Sequence, residues 1–298
     1  KSKTLSTLFD VSEGNGALKR AIDLLCQEAS EAVNQGRQIL ILSDRGVDAA
    51  QAPIPSLLAL AGVHHHLIRE GIRTKVGLVV ESGEPREVAH FALLIGFGAG
   101  AVNPYLAFET LEELAGQSGM LSSGDYKDSE KNYIKALDKG ILKIMSKMGI
   151  STIQSYRGAQ IFEAVGLNQE LIDGYFTWTP SRIAGIGLSE VEEESRRRHA
   201  SAYHESTVVG SLGLDAGGQY QWRRDGEFHM WDPDSIAKLQ HSVRTNSYAS
   251  YKEFAEEIDG RSKRLTTLRG LLDFKELEKL QPQLNWDCFL KKKVKSHY

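Results

Sequence analysis

The sequence predicts an α/β protein built from parallel β/α units, and three observations support this fold class. Short apolar runs alternate with longer segments of helical periodicity over residues 18–115. The run at residues 38–42 is almost entirely apolar, which is typical of a buried strand. The connections are short, so each strand is expected to lie parallel to the next with a helix packed outside. Both an open doubly wound sheet and a (β/α) barrel fit this pattern.

The first elements follow in order from residue 18. Apolar residues at helical spacing predict amphipathic helices, and the compact apolar runs between them predict buried strands. Helices are predicted over residues 18–36, 55–70, 85–95 and 108–115, and strands over residues 38–42, 75–80 and 101–103. Leu106 is expected at the exit of the last strand. Gly71 suits the C-cap of the second helix, and Pro85 suits the first turn of the third.

The rest of the chain changes character twice. Residues 117–130 form a polar, Gly/Ser-rich interruption, and from about residue 206 glycines cluster before an aromatic, charged run. Helices are predicted over residues 130–148, 157–165, 189–203, 234–244 and 248–258, with a short strand over residues 151–155. Ser189 and Glu192 have the spacing of a capping box. A domain boundary is predicted near residue 205.

Composition excludes several classes of protein. The chain has 298 residues, enough for a large core or two domains without disulfides or metal. Its formal net charge of -3 predicts no affinity for nucleic acid or an anionic membrane. No stretch reaches the ~20 apolar residues that span a bilayer, and no apolar run follows the N-terminus as in a signal peptide. Because the chain does not begin with Met, we expect it to be part of something longer.

Cysteine usage predicts reduced thiols in the cytoplasm. The chain contains only Cys26 and Cys288. Two cysteines are too few for a disulfide framework, a Cys₄ zinc site or a cysteine-held iron–sulfur cluster. We therefore expect no metal site and no resident cofactor in this chain.

Two motifs resemble ligand-binding sites, one for a metal ion and one for a dinucleotide, but their geometry favours a structural role. His64, His65 and His66 are consecutive on a predicted helix, so their side chains point about 100° apart and cannot share one metal ion. We expect one packed histidine and two at the surface. The glycines within residues 96–100 follow a helix and precede a strand, the reverse of a dinucleotide-binding fingerprint. They predict a helix C-cap and a tight turn.

Charged residues supply two further candidates. The run SDRG at residues 43–46 lies at the carboxyl end of a predicted strand, where α/β active sites collect, although an ion pair between Asp44 and Arg45 that closes the turn fits equally. Lys139, Lys143 and Lys147 share one helix face. That row predicts a solvated surface or contact with an anion or an acidic partner.

Two charged runs near the second half complete the candidates. The arginines of residues 196–198 follow the glutamates of residues 192–194 at i,i+4 spacing, which predicts modest helix stabilisation. Residues 220–229 are dense in aromatic and charged side chains, suited to lining a groove or docking another domain, but show no nucleophile–base pair. Residue by residue, the sequence predicts an α/β protein without assignable catalytic, cofactor-binding or metal-binding residues.

Collinear runs resemble the large subunit of glutamate synthase. Its central domain is matched by KTLSTLFD at residues 3–10, LSDRG at 42–46, APIPSLL at 52–58, GAGAVNPYLA at 98–107, KGILKIMSKMGIST at 139–152 and QSYRGAQIFE at 154–163. Residues 220–229, KLQH at 238–241 and RLTTLRG at 264–270 resemble the lead-in to its FMN-binding domain. The resemblance covers roughly residues 1–274 and implies a partial (β/α)-barrel-like fold of the FMN-linked oxidoreductase type.

The resemblance also implies the chemistry of the whole family. Glutamate synthases make two L-glutamates from L-glutamine and 2-oxoglutarate. An amidotransferase domain with a catalytic N-terminal cysteine releases ammonia, which passes through a tunnel to an FMN site, where 2-iminoglutarate is reduced. A [3Fe–4S] cluster delivers electrons from ferredoxin, or from NADPH or NADH through a second flavin site on a partner. The central domain connects the catalytic domains and helps enclose the tunnel.

Departures from the family pattern define what this chain is expected to lack. It begins after the amidotransferase domain and ends before the flavin-binding segment and the three cluster cysteines, which neither Cys26 nor Cys288 matches. The implied domains are the C-terminal part of a central domain at residues 1–205, the start of an FMN-binding domain at 206–274 and a divergent basic tail at 275–298. Three hypotheses follow: a piece of an oxidoreductase that works only with its missing domains, a stand-alone structural or interaction module, and an inactive remnant. Residues 220–224 lie closer to bacterial and cyanobacterial forms than to plant ferredoxin-dependent ones.

Overall fold

A computed structural model describes residues 1–116, 125–203, 217–264, 267 and 270. The chain divides into two compact units, residues 1–205 and residues 206–298. Of the predicted glycine cluster after residue 206, Gly217 and Gly218 are described and Gly210 and Gly213 are not. The tail at 275–298, which includes Cys288, and most of the polar interruption also lie outside the described residues.

The first unit alternates strands and helices. Its strands are β1 (Ser2–Ser6), β2 (Leu8–Asp10), β3 (Ile39–Ser43), β4 (Gln51–Pro53), β5 (Gly77–Glu81), β6 (Ala101–Asn103), β7 (Ala164–Leu167) and β8 (Ser181–Ile186). Its helices are α1 (Ala17–Asn34), α2 (Ser56–Arg69), α3 (Val88–Gly96), α4 (Tyr105–Gly116), α5 (Tyr126–Met148), α6 (Ile153–Tyr156), α7 (Gln169–Tyr175) and α8 (Leu188–Ala202).

The main sheet confirms the predicted class of parallel β/α units. Its four strands lie in the order β1-β3-β5-β6, and every neighbouring pair is parallel. The order follows the chain without reversing, as in the wall of a (β/α) barrel, whereas a doubly wound sheet reverses at a switch point. Strands β2 and β4 form a small antiparallel pair, and β7 and β8 form a separate parallel pair.

The core lies between this sheet and helices α1 and α2. Leu40 and Leu42 on β3 alternate with less buried neighbours, as do Leu78 and Val80 on β5. Helix α1 buries the positions that its periodicity predicts, including the fully buried Ile22. Each large apolar side chain removed from water in this way contributes about 1.5–3 kcal/mol. The core fixes the strands, and the strands place the polar turns at their carboxyl ends.

Two predicted elements between α5 and α7 are wrong. Residues 151–155 were expected as a strand, but Thr152 caps a helix there by accepting a hydrogen bond from the Ser155 N–H at 3.3 Å. Residues 157–165 were expected as a helix, but Gly158 has φ of +72° and its N–H donates to the Gly96 carbonyl. The chain then enters β7. A capping hydroxyl and a long-range backbone contact override the local apolar pattern.

Several predicted boundaries also shift. Helix α3 begins at Val88, so Pro85 precedes the helix instead of opening it. Leu106 lies inside α4 and is not a strand exit. Helix α5 begins at Tyr126, after the Asp125 side chain caps it, so residues 126–130 belong to the helix and not to the predicted interruption.

The second unit contains two described helices, α9 (Pro233–Thr245) and α10 (Tyr248–Arg264), which pack against each other. Asp232 caps α9 by accepting from the Ser235 N–H at 2.8 Å, and Pro233 occupies the first turn. Asn246, with φ of +50°, ends α9. Helix α9 agrees with its predicted position, whereas α10 begins where predicted and continues to Arg264, beyond the predicted end at residue 258.

Candidate functional site

The carboxyl ends of β3, β5 and β6 bring together polar side chains that are far apart in sequence. We name Ser43, Asp44, Arg45, Glu81 and Asn103 the carboxyl-edge cluster. Parallel strands end at the same edge of the sheet, so the turn after β3 meets the turns after β5 and β6. This is the edge at which active sites of α/β proteins form.

Asp44 closes the turn after β5 and does not pair with Arg45, contrary to one of the two expectations. Its buried carboxylate accepts hydrogen bonds from the Ser82 hydroxyl at 2.5 Å and from the Gly83 N–H at 3.1 Å. Burial, with a hydrogen bond between Tyr105 and Asp44, raises the pKa of Tyr105 above its ordinary value. Asp44 therefore links the end of β3 to the turn after β5 and to the start of α4.

Glu81 is the centre of the carboxyl-edge cluster. Its carboxylate accepts from the Ser43 hydroxyl at 2.6 Å, from Arg45 Nε at 3.0 Å and from Asn103 Nδ2 at 3.2 Å. These donors, the Ser43 hydroxyl foremost, hold the pKa of Glu81 below its ordinary value. Arg45 also reaches Glu109 and lies over the Tyr105 ring at 4.0 Å. The motif at residues 43–46 predicted a polar site at this edge. The sequence around Glu81 gave no sign that Glu81 would accept hydrogen bonds from this motif.

The cluster does not fit the phosphate of FMN. Backbone N–H groups at a turn and at a helix N-terminus are the usual phosphate donors. Here the Gly83 N–H donates to Asp44, and the Ser56 N–H in the first turn of α2 donates to the Glu84 carboxylate at 2.7 Å. The chain's own carboxylates occupy both donors and would repel a phosphate. The residues at this edge stabilise the turns and do not suit a flavin.

The cysteines do not fit a [3Fe–4S] cluster either. Three thiolates are needed, and the chain has two cysteines. Cys26 is buried on α1, and burial raises the pKa of its thiol to about 11, which opposes the thiolate form. Among the described residues no group of His, Cys, Asp or Glu is arranged to hold a metal ion.

The three histidines reach different partners. His64 Nδ1 accepts from Arg73 Nε at 2.9 Å, and His66 Nε2 lies 2.8 Å from the Ser30 hydroxyl. All three rings are half-buried, so the expectation of two surface histidines is wrong. Burial, then the Arg73 charge, lowers the pKa of His64 to about 3; burial, then Arg69, lowers that of His65 to about 4.

The glycines after α3 form the predicted helix end. Gly98 has φ of +107°, and its N–H donates to the Ile95 carbonyl at 3.0 Å. A Cβ on Gly98 would lie 2.3 Å from His64 Nδ1, so the turn also admits the histidine. The run is a C-cap and a packing contact.

Glu192 on α8 has a role that its local sequence does not signal. It is buried, and its carboxylate accepts from the Gly16 N–H at 3.0 Å and the Leu18 N–H at 3.3 Å, at the start of α1. It also pairs with Arg196 at 2.9 Å. The predicted capping box of Ser189 and Glu192 is therefore wrong. Glu190 caps α8 instead, by accepting from the Gly187 N–H at 2.7 Å.

Arg261 organises the aromatic run of the second unit. It is buried on α10, pairs with Asp232 at 2.8 Å and with Glu257, and donates to the Met230 carbonyl at 3.2 Å. Its guanidinium lies 5.2 Å from the Phe228 ring centroid. This arginine ties Phe228 and the adjacent backbone to α10, whereas the charged side chains at residues 223–225 and 227 stay exposed.

Comparison with known proteins shows the glutamate synthase family. The model of the glutamate synthase central domain matches residues 1–168. The large chain of the NADPH glutamate synthase of Bacillus subtilis is 44% identical over 274 residues, which are 92% of this chain and 17% of that protein. The NADH glutamate synthase of Schizosaccharomyces pombe is 42% identical over 92% of this chain and 13% of that protein.

Two further matches are of different kinds. A ferredoxin-dependent glutamate synthase of Arabidopsis thaliana is 38% identical over 92% of this chain and 17% of that protein. A solved flavocytochrome b2 with benzoylformate covers 45% of this chain and 31% of that one, at 18% identity and a TM-score of 0.37, too low to carry a conclusion. The chain thus spans less than a fifth of each glutamate synthase named here. Because the family model matches more than half of its residues, the chain belongs to the glutamate synthase family, in the central domain.

Proposed function

We propose that this chain is the connecting, tunnel-enclosing part of a glutamate synthase large subunit, the enzyme that makes L-glutamate from L-glutamine and 2-oxoglutarate. The match of residues 1–168 to the central-domain model carries the proposal. The saturated carboxyl-edge cluster supports it, because Asp44 and Glu81 already accept from the chain's own donors. In this proposal the chain encloses the ammonia tunnel and connects the catalytic domains, and the reacting groups come from those other domains.

The partners proposed are the other domains of the same large subunit. Relatives named for NADPH, NADH and ferredoxin are 44%, 42% and 38% identical. These values do not select one electron donor, so ferredoxin and an NADPH-oxidising small subunit both stand as proposed partners of the full enzyme. The reduced-thiol composition makes the cytoplasm the proposed location. No described helix is both long and apolar enough to cross a membrane.

A domain exchange tests the proposal. The matching segment of the Bacillus subtilis large chain is replaced by residues 1–274 of this chain, and the purified hybrid is assayed for glutamate formation from L-glutamine and 2-oxoglutarate. We expect coupled activity, with little free ammonia released, since an enclosing segment must keep ammonia inside. A control hybrid lacks the segment. A folded hybrid that hydrolyses glutamine but releases all its ammonia contradicts the tunnel-enclosing role.

The chain alone tests the absence of its own flavin site. FMN is titrated into the purified 298-residue chain while flavin fluorescence is followed, and glutamate synthase activity is measured in parallel. We expect no stoichiometric quenching and no activity. Binding of one FMN per chain would overturn the assignment of the carboxyl edge as a structural cluster.

A stand-alone structural module is the second candidate, and one observation favours it. Residues 1–205 enclose their own core, in which Leu18, Leu40 and Leu60 are fully buried. A core of this kind supports cooperative unfolding without the other domains. A single cooperative urea transition of the chain keeps this candidate open, and a gradual one removes it.

A further inference from the structure

Helix α5 carries six lysines at intervals of four residues. The row consists of Lys127, Lys131, Lys135, Lys139, Lys143 and Lys147, all exposed, and we name it the lysine row. Each step of four residues turns roughly 40° around a helix, so the row winds slowly over one side. The buried side chains of α5 are Leu137 and Met145.

The two halves of the lysine row differ in their neighbours on the helix. In the first half, Asp128, Glu130 and Asp138 lie three residues from Lys131, Lys127 and Lys135, within reach for i,i+3 pairing. The second half, from residue 139 to 147, has no acidic residue at three or four positions in either direction along α5. Its three lysines form no ion pair with a carboxylate of the described residues.

The helix itself explains only part of this charge. Cations are favoured in the last turn of a helix, which accounts for Lys147. Lys139 and Lys143 lie before that turn, and lysines four residues apart repel one another. A partner with negative charge would relieve the repulsion. The second half of the lysine row is therefore expected to bind an acidic surface.

Apolar side chains lie beside the same three lysines. Leu142 is 64% exposed and Met148 52% exposed. A groove of about 350 Å³ at the end of α5 is lined by Leu142, Met145 and Ile150 together with Ser146, Gly149 and Ser151. An exposed leucine next to an open groove is suited to an apolar anchor from a partner. A phosphate backbone has no group to fill it.

We propose that Lys139, Lys143, Lys147 and the adjacent groove form a docking surface for an acidic polypeptide segment that carries an apolar anchor residue. The three lysines favour the acidic side chains of such a segment, and the groove accommodates its apolar anchor residue. A nucleic acid fits less well because the exposed Leu142 lies beside the charged face. The second half of the lysine row also has neither an arginine nor an aromatic side chain to stack on bases. The proposal is independent of the ammonia tunnel and of the flavin.

The test uses the full chain and a fluorescein-labelled peptide of alternating Glu-Glu-Leu repeats, with binding followed by fluorescence anisotropy at low salt. The variant K139E/K143E/K147E is expected to weaken binding at least about ten-fold, and the milder K139Q/K143Q/K147Q to give an intermediate loss. The matched control R37E/K75E/R198E makes the same change in net charge at other exposed positions and is expected to change affinity less than about two-fold. Circular dichroism verifies that each variant keeps its helix content.

Leu142→Ser separates the anchor from the charge. We expect it to remove the preference for the Glu-Glu-Leu peptide over a Glu-Glu-Ser peptide while leaving the latter's affinity unchanged. Equal losses in the row variant and in the control would show a general charge effect and overturn the proposal. Duplex DNA or anionic vesicles bound as tightly as the peptide, with the same dependence on the row, would also overturn it, as would no binding of the peptide by the unmodified chain.

Discussion

The carboxyl-edge cluster and the lysine row are both rich in charge, yet they differ in where the opposite charge lies. Glu81 finds Ser43, Arg45 and Asn103 within the chain. The lysines of the row's second half find no described carboxylate. Charge that is satisfied inside the chain stabilises the fold, whereas charge left facing solvent is available to a partner. Substitutions in the two regions should therefore have opposite consequences for stability and for binding.

The largest effect is expected where the internal partners are most buried. Glu192→Ala removes a carboxylate that caps the start of α1 and pairs with Arg196. We expect a loss of about 3 kcal/mol in the free energy of unfolding. The backbone donors lose their acceptor, and the largely buried Arg196 loses its carboxylate partner and keeps only the Val11 and Gly14 carbonyls. Urea unfolding followed by circular dichroism measures it.

Glu193→Ala is the matched control for this prediction. The Glu193–Arg197 pair has the same i,i+4 spacing on the same helix and a distance of 2.8 Å, but its side chains are 56% and 76% exposed. We expect a change below about 0.5 kcal/mol. Similar losses in the two variants would show that burial does not distinguish these pairs.

Asp44→Ala is expected to have the next largest effect. The substitution leaves the buried Ser82 hydroxyl and the Gly83 N–H without their acceptor, for a loss of about 2–3 kcal/mol. Asp48→Ala is the control, since Asp48 accepts from Ala50 and Gln51 N–H groups in an exposed turn and should cost about 1 kcal/mol or less. If Asp44→Ala is no worse than its control, the cluster does not hold the strand ends together.

The sequence predicts those elements whose pattern is local. Helices α1, α2 and α10 follow from apolar spacing, and the parallel class follows from the alternation of strands and helices. Strands β2 and β4 were not predicted, because three-residue strands carry too little periodicity and pair across about forty residues of chain. Local patterning also failed at residues 151–165, where Thr152 and Gly158 decide the path.

The polar groups were predictable only in part, for the same reason. The position of residues 43–46 at a strand end indicated a polar edge. It did not reveal that Asp44 would bind Ser82 and Gly83, which lie 38 and 39 residues away. Glu192 meets Gly16 across 176 residues, and its i,i+4 arginine suggested a surface pair instead. Contacts of this separation leave no local pattern.

The pH dependence of stability tests the role of Glu81 in the carboxyl-edge cluster, with a smaller expected effect than the substitutions of Glu192 and Asp44. The folded-state pKa of Glu81 lies below the ordinary value of 4.5, so its stabilising contribution is complete above that pH and is lost as the pH falls through the lowered value. The difference in unfolding free energy between the unmodified chain and Glu81→Gln should be largest above pH 4.5 and should shrink below it. Urea unfolding over a pH series checks this. A difference in unfolding free energy that does not change with pH would mean that the charge of Glu81 does not contribute to stability.

Lys143→Gln tests the other side of the comparison and has the smallest expected effect. Lys143 lies four residues from both Lys139 and Lys147, so neutralising it removes two repulsive pairs. Each pair is worth roughly 0.2–0.5 kcal/mol at low salt, and screening reduces it as salt rises. We expect a gain of about 0.4–1 kcal/mol in urea unfolding at low salt that fades at high salt. Lys75→Gln, at an exposed position outside the row, should show no such gain. A loss of stability in Lys143→Gln would place a carboxylate partner for the row within the chain itself, and the charge of α5 would then be structural like that of the carboxyl-edge cluster.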